Sequence, residues 1–424
     1  MMILLLPQAG MASELSLAQA ISQVLSNSPA LSAARLKWQA SQHRPDIVGA
    51  LPDPMVTYGY WFQNVETRVG AMNQKVAVSQ RIPFPGKRSL AMEQARHESN
   101  IALWDYQALG RDLIWRTKTA YIDLVRIRQS RLVLDQEAGV LESMVRTALT
   151  RYEAALGPQQ EVLKAQLALS NLTNRWLNLE AQRETAVSVL NGLRNLPPST
   201  PIAVDDDLQL PPLPDQELSL EVAGQYRQEL QAAGIAIQRD TTAVALARRD
   251  RWPDFTVGVD YTQINDNIYA NHPDNGQDAV LGFVSIHIPL WPGKLRAQRR
   301  EAEARLAASL ATSQDLQSRV RSQAREAWFR ASVAQDQAKL YRDLLIPQAE
   351  QSFQTSLHGY QASGASFLDV LDAERALLDI RLGRVMIESE LAQALAQLER
   401  QLGVDLENIT GTSPKAPGLM EELP

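Results

Sequence analysis

Two carboxylates, Asp369 and Asp372, stand three residues apart in FLDVLDAERAL, a spacing that puts both on one helix face. Crowded by further carboxylates, such a pair would attract cations and hold protons; a solvated helix face is the alternative. Little else in the 424 residues gathers chemistry. The five histidines (His43, His97, His272, His287, His358) are scattered, with no H-E-x-x-H and no metal-ligand spacing. Cysteine is absent, which excludes disulfides, thiolate metal sites and a lipid-modified N-terminal cysteine. The nine methionines are dispersed, as packing residues are. Two Pro-Gly-Lys runs, Pro85–Lys87 and Pro292–Lys294, lack the G-x4-G-K-[ST] spacing of a phosphate loop. No nucleophile, base and orienting group come together, so the sequence reads as a non-enzyme without cofactor or resident metal. With 42 Lys+Arg against 48 Asp+Glu, there is no basic footprint for nucleic acid.

The elements that must position the acidic pair come in two copies. One strand pair lies in Leu51–Lys87, another in Trp252–Lys294. Both begin Pro-Asp (Pro52-Asp53, Pro253-Asp254). Both end Ile-Pro, one or two residues, then Pro-Gly-Lys (Pro83, Pro85, Gly86, Lys87; Pro289, Pro292, Gly293, Lys294). An internal repeat of this kind changes the fold reading. Val56, Tyr58, Tyr60 and Phe62 alternate with Thr57, Gly59, Trp61 and Gln63, a mostly polar or small face, as do Val257, Val259 and Tyr261 with Thr256, Gly258, Asp260 and Thr262. The period is two, which predicts strands over about 54–64, 74–83, 255–264 and 279–290, each long enough to cross a tilted bilayer path. Trp61, Phe84, Trp252 and Trp291 at the strand ends fit an interfacial girdle. The stretches Asn64–Asn73 and Asn265–Asp278 read as polar loops.

Each strand pair runs into a helix of unusual length, predicted over 86–153 and 293–361; 1.5 Å per residue makes each on the order of 100 Å long. Gly139 and Pro347 fall opposite one another when the copies are aligned on Tyr152 and Tyr360, which predicts a shared bend. A turn follows in each copy, then a return helix over 158–194 and 366–403 with apolar residues at coiled-coil spacing. A short helical stretch precedes each strand pair (Leu15–His43 and Leu218–Arg249), Pro29 breaking the first, and Pro45 and Pro52 end it. The first copy spans 13–195 and the second 218–406. Residues 196–217 form a Pro- and Asp-rich connector and 407–424 a loose tail. The apolar start ending Gly-Met-Ala reads as a truncated secretory signal over 1–12. No run approaches the roughly 18 apolar residues of a membrane-spanning helix.

Taken together, the strand pairs ending Ile-Pro-x-Pro-Gly-Lys, the long helices and the Tyr-x8-Asp/Glu-Val-Leu-x-Ala turns, all duplicated, resemble the TolC family of outer-membrane efflux channels. The Asn64–Arg68 stretch and the Pro-Gly-Lys junctions look most like the members serving heavy-metal resistance-nodulation-division pumps. The resemblance implies a mainly α protein with a small β part. It would be a homotrimer in the Gram-negative outer membrane, its strands closing a lipid-facing barrel that a periplasmic α-helical barrel continues. Four strands in one chain cannot close a barrel, whose smallest form has about eight, so oligomerisation follows from the strand count as well. The implied function is a passive exit duct for metal ions or small toxic compounds. An inner-membrane resistance-nodulation-division pump and a periplasmic adaptor (membrane fusion protein) would deliver them. A periplasmic helical-hairpin adaptor, or the duct of a type I protein secretion system, are the alternatives. The resemblance puts Asp369 and Asp372 at a pore constriction. It makes Tyr152, Ala155, Gly157, Glu161, Tyr360, Ser363 and Gly364 the tip turns and gate, with Glu161 latched to Tyr360. The sequence departs from the family where a turn glycine is replaced by Ala155 and Ser363, and where an arginine of some members is Ala365.

Overall fold

The computed structural model describes residues 14–206, 208–266, 273–362 and 364–409. The signal-peptide reading over 1–12, the middle of the second loop, Ser363 and the chain beyond 409 lie outside them. In order, the elements are α1 (Leu17–Asn27), α2 (Pro29–Gln42), α3 (Arg44–Gly49), β1 (Met55–Thr67), β2 (Gly70–Ile82), α4 (Lys87–Glu153) and α5 (Gln159–Leu193). The second half gives α6 (Gln216–Tyr226), α7 (Gln228–Arg249), β3 (Asp254–Asn265), β4 (Ala279–His287), α8 (Pro292–Leu340), α9 (Ile346–Gln361) and α10 (Phe367–Leu402). They fall into two compact units, one of residues 35–105 and 231–315, the other of the remaining segments.

The first unit holds one antiparallel sheet in the order β1-β2-β3-β4. Directly paired residues share a face, and the pairs Val56↔Val78↔Val259 and Val257↔Val284 build one that is mostly apolar, interrupted by Gln74 opposite Tyr60 and Gln80 opposite Val257. Val56, Tyr58, Val78, Val259, Val284 and Ile286 are exposed on it. The opposite face carries Lys75, bound to Asp260 at 2.6 Å. Gly258 lies there because the Phe283 ring and the Ser79 side chain occupy the space of any larger residue.

Several boundaries differ from the sequence reading. The first loop is almost absent: β1 continues to Thr67, β2 starts at Gly70, and Gly70 takes φ +133°, which only glycine tolerates. Polar residues 64–73 compose like a loop, yet backbone pairing carries them as strand past a bulge between Tyr60 and Val65. Strand β4 stops at His287 rather than 290, before Pro289, which has no N–H to give the ladder. Pro45 does not end helical structure. It sits in the first turn of α3, where its missing donor costs nothing. Residues Leu406–Ile409, mostly assigned to the tail, form a 3-10 turn whose Leu406 and Ile409 are buried.

In the second unit three apolar clusters hold the helices together. One joins Leu141 and Met144 of α4 to Val162 and Ala165 of α5, Phe353 of α9 and Leu371 of α10. Another packs Val222 of α6 on Ala324 and Ala331 of α8 and on Leu398 of α10. The third brings Ala20 of α1 and Tyr121 of α4 against Val187 of α5 and Val204 of the connector. The connector is thus anchored: the Tyr121 hydroxyl donates to Leu15 O at 2.7 Å and accepts from Asp205 N at 3.1 Å.

The two helix weakeners act differently on the backbone. The α-helical ladder of α4 passes Gly139 without interruption, whereas α8 and α9 are separated by a π turn, Tyr341–Leu345, just before Pro347. Glycine keeps its N–H and merely weakens a helix; proline removes a donor. In the π turn Ile346 N–H reaches Tyr341 O, five residues back. The copies also differ in length there, 65 residues separating Lys87 from Tyr152 and 66 separating Lys294 from Tyr360.

Candidate functional site: helix tips and strand-helix junctions

The first tip closes α4 with a Schellman motif. Leu156 N donates to Arg151 O at 2.7 Å and Ala155 N to Tyr152 O at 2.9 Å, which requires a left-handed residue between helix and loop. That residue is Ala155, at φ +57°, so the position of the missing glycine keeps the glycine conformation at an alanine's cost. Gly157 leaves room for its neighbours: a Cβ there would stand 3.2 Å from Glu161 Oε2.

At the second tip Gly364 N donates to Gly359 O at 2.7 Å, and α10 opens with a capping box. Asp369 N donates to Ser366 Oγ at 3.2 Å, while Asp369 Oδ2 accepts from Ser366 N at 2.9 Å and Ser366 Oγ at 2.8 Å. Those bonds, the backbone one first, hold the Asp369 carboxyl below its ordinary pKa. Asp369 is therefore a helix cap as well as an exposed acid, which Ser-x-x-Asp in the sequence announces. Asp372 is exposed one turn on, 3.8 Å from Arg375.

Between the tips the buried Tyr360 hydroxyl donates to Glu161 Oε2 at 3.0 Å. Arg151 lies over the Tyr360 ring at 4.8 Å, and Phe367 meets that ring edge-on at 5.7 Å. Burial, then the bond to Glu161, raises the Tyr360 pKa. Tyr152, its counterpart in the first copy, is exposed. Arg151, Ser366 and Phe367 complete the tip although sequence reasoning singled out none of them.

The junction motifs bind each other across the copies. Lys87 Nζ of the first Pro-Gly-Lys reaches Asp254 Oδ1 of the second Pro-Asp at 2.9 Å and donates to Trp252 O at 2.8 Å. Arg81 meets Asp254 Oδ2 at 2.7 Å, and Phe84 N donates to Oδ1 at 2.9 Å. Phe84 stacks on Trp252 with centroids 5.2 Å apart. Gly86 supplies φ +92°, turning the chain from strand to helix. In the second copy Pro292 opens α8, as proline does at a first helical position, and Lys294 is exposed.

A sequence model described as Outer membrane efflux protein matches residues 20–195 and 220–404. The chain belongs to the outer membrane efflux protein family. Its place is accordingly the Gram-negative outer membrane, with a helical tunnel in the periplasm. Similar relatives of this family include the cobalt-zinc-cadmium resistance protein CzcC of Cupriavidus metallidurans, 24% identical over 347 residues, covering 80% of this chain and 79% of the relative. The outer membrane protein TolC of Vibrio cholerae is 24% identical over 391 residues, 84% of each chain. Among solved structures, the outer membrane protein VceC from Vibrio cholerae superposes with a TM-score of 0.75 at 19% identity, covering 92% of this chain and 96% of that one. Membership in the efflux family, with strand pairs in both copies, sets the adaptor reading aside.

Proposed function

We propose that the protein is the exit duct of a tripartite efflux system, a homotrimer that carries out passively what an inner-membrane resistance-nodulation-division pump and a periplasmic adaptor deliver. The observation that carries this reading is the sheet: an apolar face left bare, with β1 and β4 as open edges. Open edges are not tolerated in lipid, and three such sheets close one ring of 12 strands. Residues 13–195 and 218–406 are then two copies of one repeat joined by 196–217. Asp369 and Asp372 of three chains surround the periplasmic entrance, and the Glu161–Tyr360 bond latches the tips. Heavy-metal ions are the favoured cargo, supported by the likeness to a cobalt-zinc-cadmium resistance protein; a passive lining need not itself select them.

The test is mass and conductance together. Native mass measurement in detergent should give three chains per particle, and the same preparation should conduct ions across planar bilayers. A stable, non-conducting monomer would sink the reading.

A further inference from the structure

The two hairpins are copies in register as well as in sequence. Aligning Ile82-Pro83 with Ile288-Pro289, and Pro52-Asp53 with Pro253-Asp254, turns the pair Val56↔Val78 of β1·β2 into Val257↔Val284. That is the pair found in β3·β4. One relationship then has no counterpart inside the chain. Strand β2 pairs with β3 through Val78↔Val259, pinned by Lys87 on Asp254, whereas β4 and β1 are both edges. Among the described residues, Lys294 and Asp53 make no hydrogen bond or ion pair, and both are exposed.

We propose that β4 of one chain pairs with β1 of a second copy in the register Val284↔Tyr58, and that Lys294 of the first binds Asp53 of the second. The pairing rests on the trimer reading and adds to it the residues that close the ring. The alignment that maps Val78↔Val259 onto Val284↔Tyr58 maps Asp254 onto Asp53 and, once the extra residue between Pro289 and Pro292 is allowed for, Lys87 onto Lys294. His287 takes the place of Arg81 beside that aspartate. Leu290 and Trp291, 72% and 76% exposed, occupy the place of Phe84, and exposed Leu51 that of Trp252. The counterparts are thus present and exposed at the second junction, where the His287 ring touches only the Thr256 hydroxyl at 3.5 Å and Lys294 attracts Asp250 without pairing with it. A second copy of this chain is the occupant because both halves of the contact, motif for motif, are already joined once within it.

The cysteine-free chain makes the register measurable. Opposed strand residues lie within disulfide reach, so Val284→Cys with Tyr58→Cys, oxidised in membranes, should give covalent dimers and trimers on denaturing gels. Val78→Cys with Val259→Cys is the internal control and should link without changing the chain number. Val284→Cys with Thr57→Cys, on opposite faces, should not link. Lys294→Glu should reduce trimer recovery and Lys294→Glu with Asp53→Lys should restore it. Absence of the Val284–Tyr58 link while the control forms, in particles that still weigh three chains, overturns the register and leaves the trimer standing. A monomer by mass removes both.

Discussion

Glu374 of α10 and Glu137 of α4 meet as two carboxyls inside the helical unit, 1% and 2% exposed. Neither Glu374 oxygen has a hydrogen-bond donor within reach. The bond open to them is a carboxyl–carboxylate one with Glu137, which exists only while the pair holds a proton. Arg381 stands 3.8 Å from Glu137 and 3.0 Å from Glu350, and Arg175 pairs with Asp379 at 2.9 Å beside them. Burial first, then the bond and charge of Glu137, push Glu374 up to about 8, against an attraction from Arg375.

A folded-state pKa above the unfolded one gives stability that is complete below the unfolded value and is lost as pH rises through the folded one. For Glu374 that window runs from 4.5 to about 8. Glu374→Gln keeps a donor for Glu137 and does not titrate. Across that window, the melting midpoint of the wild-type protein should fall relative to that of the variant. Parallel curves would show that the pair holds no shared proton.

Ala155 should be improved by glycine. An alanine at φ +57° is disfavoured by about 1 kcal/mol relative to glycine, so Ala155→Gly should raise stability by roughly 0.5–1 kcal/mol. Chemical denaturation of the detergent-extracted protein measures it. A loss would mean that the turn is left-handed for some reason other than its hydrogen bonds.

The latch should yield to a single atom. Tyr360→Phe removes the donor to Glu161 but keeps the ring between Arg151 and Phe367. A bond of this kind contributes about 1 kcal/mol, so the closed state should lose roughly a fivefold advantage, read as open probability in planar bilayers. Unchanged gating would leave Tyr360 a packing residue.

The acidic pair needs two substitutions to be judged fairly. Asp369→Asn with Asp372→Asn keeps an oxygen for the Ser366 cap and should weaken cation selectivity and block by periplasmic-side multivalent cations. Asp369→Ala should in addition fray the start of α10, seen as faster amide exchange there. Recordings like wild type from the double Asn variant would return both residues to a solvated face.

How much of this was legible follows from the range of each interaction. The strands and junctions were, because a period of two and a repeated Pro-Gly-Lys are local signals. Ala155 was also legible, as an alanine where the turn needed glycine. The cap at Asp369 was readable in Ser366-x-x-Asp369 and was passed over for its charge. Glu137 and Glu374 were not legible at all. Each sits on a helix among other acids, and only the packing of α4 on α10 distinguishes them. The first loop misled because composition reports polarity, while strand pairing such as Thr67↔Gly70 and Glu66↔Ala71 is made by backbone bonds that composition does not report.

The π turn before Pro347 keeps a record of descent. The second long helix carries one residue more than the first between its junction lysine and its tip tyrosine. An added residue in an unbroken helix would rotate everything beyond it by about 100°. A turn wound to i→i+5 absorbs such a residue, so Phe353 and Tyr360 still face the core. The duplicated halves therefore differ by one residue of length, whose phase error the π turn cancels. A ring built from three such chains would alternate two unlike hairpins, with threefold but not sixfold symmetry. A partner docking around it would meet two kinds of groove and could tell one from the other.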